Sequence, residues 1–125
     1  MTGIEYYFFF LDAVIMIALL FLVYISAIFL HEAGHLLVLR KNAKKARINF
    51  DKIAGKWKLC AGKEEDYLNL SDKELKRVYK MGIIFGLFPI ALYSIVNVWG
   101  LVLFPLYLGG CSSDLKRLRE LIKRS

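Results

Sequence analysis

Residues 1–39 contain no lysine or arginine, and residues 81–110 contain no charge of either sign. Cysteine is scarce, with only Cys60 and Cys111, so a disulfide-stapled secreted scaffold is excluded. Both cysteines fall on segments read below as cytosolic, and two free thiols are expected. Prolines number two and histidines two. No internal repeat, low-complexity tract or flexible linker interrupts the chain, which leaves one domain at this length. The start of the chain lacks the basic region of a secretory signal, and its apolar stretch exceeds the roughly 7–15 residues of a signal core.

What is present is strongly apolar and strongly segregated. Hydrophobic residues make up 58% of the chain and charged residues 23%, with a positive mean hydropathy of +0.48. All 18 lysines and arginines lie at Arg40 or beyond, 13 of them in 40–80 and five in the tail. The net charge of +7 would suit nucleic acid, but these cations flank apolar runs, a placement that membrane topology explains better.

Between residues 6 and 30 the single charge is Asp12. About 20 residues of helix span a bilayer, so a transmembrane helix over 6–39 is predicted, anchored by Tyr6 and Tyr7 and stopped at Arg40, Lys41, Lys44 and Lys45. In the cytosolic segment 40–77, the alternation in 46–50 and 56–60 around Ala54 and Gly55 predicts a small β-hairpin. Ser71 and Glu74 have capping-box spacing and open a further helix. The uncharged run 81–110 is too long for one upright span and too short for two. Flanked by basic segments, it must return to the cytosolic side, with the N-terminus opposite. It reads as a helical hairpin over 78–110 turning near Asn97 to Gly100, with Pro89 and Pro105 as other break points. An amphipathic tail, 111–125, follows. The fold class is an all-α integral membrane protein of about three transmembrane or partly spanning helices, with a cytosolic β-hairpin insertion.

The chemistry is concentrated in His31-Glu32-Ala33-Gly34-His35, which fits H-E-x-x-H. Residues four apart on a helix share a face, so both imidazoles reach one ion. Zinc suits such a site, and Glu32, on the neighbouring face, is placed to take a proton from water. Both histidines of the chain are used, an arrangement that random placement yields about once in a thousand sequences. The plainer reading, two helix histidines in a polar patch, loses weight inside a membrane segment, where ionisable groups are expensive and functional. Measured from Arg40, the ligands lie about 7–14 Å inside the membrane edge.

A third ligand must be Asp, Glu or Cys. Asp12 lies nearly 30 Å up the same helix. Asp51, Glu64, Glu65, Asp66, Asp72 and Glu74 read as solvated charges. Asp114 follows the second apolar run on the same side as His35 and is favoured over its plainer role as a first-turn acid of the tail. Cys111 is the runner-up. Asn97 reads as a polar contact at a turn, Gly82 and Gly86 as a helix-packing pair, and Trp57 and Trp99 as core or interfacial residues.

These residues resemble the site-2 protease family of intramembrane zinc metalloproteases. The shared features are H-E-x-G-H on a transmembrane helix, a short polar segment, and a later apolar segment delivering an aspartate. The family's Asn-Pro pair followed by Asp-Gly is absent. The stretch from Phe104 and Pro105 to Asp114 looks like a diverged form. The resemblance implies one Zn2+ per chain on His31, His35 and Asp114, with Glu32 as the catalytic base. It implies hydrolysis of a peptide bond in or beside a substrate's transmembrane segment, with the hairpin holding the unwound substrate as an added strand. Expected partners are a membrane-protein substrate and the lipid bilayer, with no nucleic acid; a homo-oligomer is left open. The rivals are a non-catalytic zinc-binding membrane protein of the same fold and a small membrane adaptor with a lipid-binding basic loop.

Overall fold

The computed structural model describes residues 2–53 and 55–124. The chain is mostly helical: α1 (Gly3–Leu39), β1 (Ile48–Ile53), β2 (Lys56–Ala61), α2 (Glu64–Leu68), α3 (Asp72–Val96), a 3-10 helix (Val98–Val102), α4 (Leu103–Gly110) and α5 (Ser112–Arg124). Two helices, α1 and α3, are long and apolar enough to cross a membrane. The segments Val98–Gly110 and Ser112–Arg124 together have that character but are bent by 63°.

Each long helix begins where side chains satisfy its first amides. Thr2 and Glu5 form a capping box at α1, as Ser71 and Glu74 do at α3. No proline and no charge other than Asp12 interrupts α1 between its first turn and Glu32, so it runs straight through the histidines to its cap at Arg40. The predicted hairpin is present, with Ile48 opposite Ala61 and Ile53 opposite Lys56. Gly55 turns it at a φ of 80°, a backbone conformation few other residues adopt. Ala54, the other half of the predicted turn, lies outside the described residues.

Of the four candidate break points after residue 80, the chain turns at Asn97 and Gly100. Pro89 sits inside α3. Pro105 falls in the first turn of α4, where its missing N–H has no helical partner to lose. Asn97 is extended, and its Oδ1 accepts from the Trp99 N–H at 3.0 Å, which ends one helix and starts the next.

Helices α1 and α3 pack antiparallel: Val38 clusters with Val78, and Ala27 with Ile90. Gly34 permits the approach between them, since a Cβ there would stand 2.5 Å from the Met81 carbonyl oxygen. Two apolar clusters result. One joins the end of α1 to the hairpin base and the start of α3 through Leu39, Ala46, Ala61 and Leu70. The other joins the middle of α1 to α3 and α4 through Ala27, Ile90, Leu103 and Tyr107. His31 and His35 lie along α1 between these clusters.

Candidate metal centre

The two imidazoles are 6% and 4% exposed, stacked edge to face with centroids 4.4 Å apart. Their Nε2 atoms face one another at 2.9 Å. Asp114, in the first turn of α5, places Oδ2 2.6 Å from His31 Nε2 and 3.0 Å from His35 Nε2. Three of the four predicted site residues therefore converge through one atom each. The fourth, Glu32, sits beside them: His31, Glu32 and His35 each offer a ligand atom, all within 4.8 Å of one another, and could together hold a metal ion.

The outer contacts say what the centre requires. His35 Nδ1 lies 2.8 Å from the Val78 carbonyl, which can only accept, so this nitrogen carries the hydrogen and Nε2 presents a lone pair. His31 Nδ1 lies 2.8 Å from the Tyr107 hydroxyl, which itself reaches the carbonyls of Ile83 (3.0 Å) and Gly82 (3.2 Å). A hydroxyl has one hydrogen. With that hydrogen on a carbonyl, the oxygen accepts from His31 Nδ1–H, and in the neutral ring His31 Nε2 is then bare as well. Two lone pairs and a carboxylate oxygen aimed at one point repel unless a proton on one nitrogen or a metal ion lies between them. The donor set therefore fits a metal ion. A tetrahedral zinc with bonds of about 2.0–2.1 Å needs donors about 3.3 Å apart, so the three edges of 2.6, 2.9 and 3.0 Å would each have to open, the His31–Asp114 edge most.

Glu32 is held from the soluble side. Its Oε2 accepts from the Ala61 N–H at 3.0 Å, and the Ala61 carbonyl accepts from the Tyr67 hydroxyl at 2.7 Å. Burial pushes the Tyr67 hydroxyl well above the ordinary tyrosine value, so it stays a donor. The bond from Gly62 N–H to the Arg47 carbonyl fixes the alternation of the ladder. Trp57, Leu59 and Ala61 consequently turn their peptide groups to the outer edge of β2, and that edge ends on Glu32.

A cleft of about 990 Å³ opens onto these groups. It reaches from Tyr24 and Ile28, two turns and one turn before His31 on α1, to Lys58, Lys63 and Arg117.

The remaining candidates are placed elsewhere. The thiol of Cys111, the runner-up ligand, is 3.5 Å from His31 Nδ1, on the far side of the ring from the converging Nε2 atoms. Asp66 caps α2, and Glu74 caps α3 while also accepting from Asn42. Asp12 is exposed, and Asn97 lies at the opposite end of α3. Gly82 and Gly86 do more than bring helices together. A Cβ on Gly82 would overlap the His35 ring, and one on Gly86 the Tyr107 ring, so each glycine seats a side chain of the centre. Sequence reasoning passed over Tyr107. Its one signal was a hydroxyl in an uncharged run, two helical turns before Asp114. The Val78 carbonyl, a backbone group, left none.

No family model, curated protein or solved structure matches this chain.

Proposed function

We propose that the chain is an intramembrane zinc metallopeptidase of the site-2 protease type, with a third membrane segment formed by the 3-10 helix and α4. The observation that carries this reading is the convergence of His31 Nε2, His35 Nε2 and Asp114 Oδ2 beside the carboxylate of Glu32. His31, His35 and Asp114 would hold the ion. When bound, it supplies Lewis acidity toward a water and a scissile carbonyl.

The chain's own groups account for the rest. The Ala61 amide occupies one oxygen of Glu32 and orients the carboxylate, leaving the second oxygen to take a proton from water and return it to the leaving amine. Proton transfer needs water, and the charge boundaries favour access to it. Arg40 stands six residues, about 9 Å, beyond Gly34 on α1. On α3, Lys80 directly precedes Met81, the residue against which Gly34 packs. The centre is thus level with the point where α3 becomes charged, on the side predicted to be cytosolic. A substrate segment unwound from its helix has free peptide groups. The outer edge of β2 offers complementary ones in a line ending at Glu32, which supports binding as an added strand.

The test is metal content and cleavage in the purified protein. Wild type in detergent, replenished with zinc, should hold about one ion per chain and cleave a single-span membrane protein. Glu32→Gln should keep the ion and lose cleavage. Full cleavage by Glu32→Gln removes Glu32 from the chemistry, and a wild type that takes up no zinc removes the centre.

A further inference from the structure

His31 and His35 are commonplace as a ligand pair; the control of their far nitrogens is not visible in the motif. Each Nδ1 leads to the backbone of one helix, α3. His35 reaches the Val78 carbonyl directly. His31 reaches the Ile83 and Gly82 carbonyls through the Tyr107 hydroxyl. Tyr107 is 2% exposed, and its ring is edge to face with His31 at 5.8 Å. Gly86 provides the space in α3 that seats it. The hydroxyl thus has three partners within hydrogen-bond distance and one hydrogen to share among them. Two of those partners cannot donate.

We propose that Tyr107 is a positioning residue of the metal centre, which passes the hydrogen-bonding demand of α3 carbonyls to His31 Nδ1 and so holds the His31 Nε2 lone pair toward Asp114 and His35. Without the hydroxyl, the tautomer of His31 is decided at its other end. Asp114 Oδ2 is 2.6 Å from Nε2 and accepts a hydrogen from it, which turns the ligand nitrogen into an N–H donor. The metal-free centre then closes on itself and competes with the ion. Outer partners of ligating histidines typically account for a tenfold to hundredfold change in metal affinity, and the same range is expected here. Cys111 is the only other side chain at that nitrogen among the described residues. At 3.5 Å, a thiol is a weak partner beside the hydroxyl at 2.8 Å.

The affinity part of this proposal rests on the metal-centre reading above; the tautomer part does not. The experiment is 15N spectroscopy of the full chain with labelled histidine in detergent micelles, metal-stripped, at a pH where both rings are neutral. Zinc affinity is measured in parallel by competition with a chromophoric chelator. In wild type, both histidines should carry hydrogen on Nδ1 and none on Nε2. Tyr107→Phe, which keeps the ring against Gly86, should move His31 to the Nε2–H form or a mixture, leave His35 unchanged, and weaken zinc tenfold to a hundredfold. Cys111→Ala should leave the His31 tautomer in place. Wild-type His31 in the Nε2–H form overturns the proposal, and this result needs no variant to fold. The proposal also falls if Tyr107→Phe leaves tautomer and affinity alone, or if Cys111→Ala shifts the tautomer while Tyr107→Phe does not. A wild type with the expected tautomers that binds no zinc sinks the proposed function and sustains the role of Tyr107 in orienting His31.

Discussion

The two halves of α1 differ more than any two separate elements of the molecule. From Ile4 to Ile25 most of its large apolar side chains point outward, with Phe9 at 67% exposed, and Met16, Leu20, Val23 and Tyr24 are half-buried. From Ala27 to Leu39 the same helix holds every residue it buries, and two of these are histidines. A soluble helix would hide its phenylalanines and show its histidines. This inversion fits a helix long and apolar enough to cross a membrane, because hydrocarbon gives apolar side chains no reason to seek the protein interior and gives polar ones every reason. Antiparallel packing explains where the change occurs. Gly34 pairs with Met81 and Ala27 with Ile90, so α3 ends at Val96 opposite about residue 20, and α1 runs on past that end.

The largest difference between the halves is expected at their polar residues. His35→Ala should reduce bound zinc from about one per chain to nearly none, while Asp12→Asn on the same helix should leave metal content unchanged; a loss of metal in Asp12→Asn would mean the outer half takes part in the centre. Core packing comes next. Ile90→Ala, at a fully buried site, should destabilise the protein by about 2–5 kcal/mol in detergent unfolding, whereas Ile17→Ala should change stability by less than about 0.5 kcal/mol. Equal effects would show that the outer half of α1 is packed against something. The two glycines of α1 differ in the same way. Gly34→Ala forces a Cβ against the Met81 backbone and should cost about 1–3 kcal/mol, while Gly3→Ala meets no atom within 4 Å and should be neutral or mildly stabilising. Smallest is Tyr67→Phe, which removes the donor to the Ala61 carbonyl. It should lower stability by about 0.5–1.5 kcal/mol, a change readable as a shift in the unfolding midpoint.

Much of the centre was legible before folding because helix geometry is local. Histidines four apart share a face whatever surrounds them, and Glu32 falls on the neighbouring one. The hairpin was legible from alternation, and the start of α3 from the spacing of Ser71 and Glu74. Asp114 could be nominated only through topology, as the acid that a returning segment brings to the same end of the molecule. Its convergence on both Nε2 atoms depends on the 63° bend between α4 and α5, which no local pattern announces. The roles of Gly82 and Gly86 were half legible: their spacing signals close packing, but that imidazole and phenol rings fill the space is a property of three helices together.

Hydropathy, alternation and the helical repeat act over neighbouring residues, and they suffice to specify a helical chain with long apolar helices, a short β-hairpin and a His-Glu-His group able to share an ion. Which atoms complete the centre and which hold it in register depends on how the helices pack. Tyr107, the Val78 carbonyl and the Ala61 amide reach the motif across 29 to 76 residues of chain, and the Gly82 and Ile83 carbonyls reach it only through Tyr107. Hydrogen bonds of that kind are set by where helices cross, and crossing is a property of packed surfaces rather than of any single stretch of sequence.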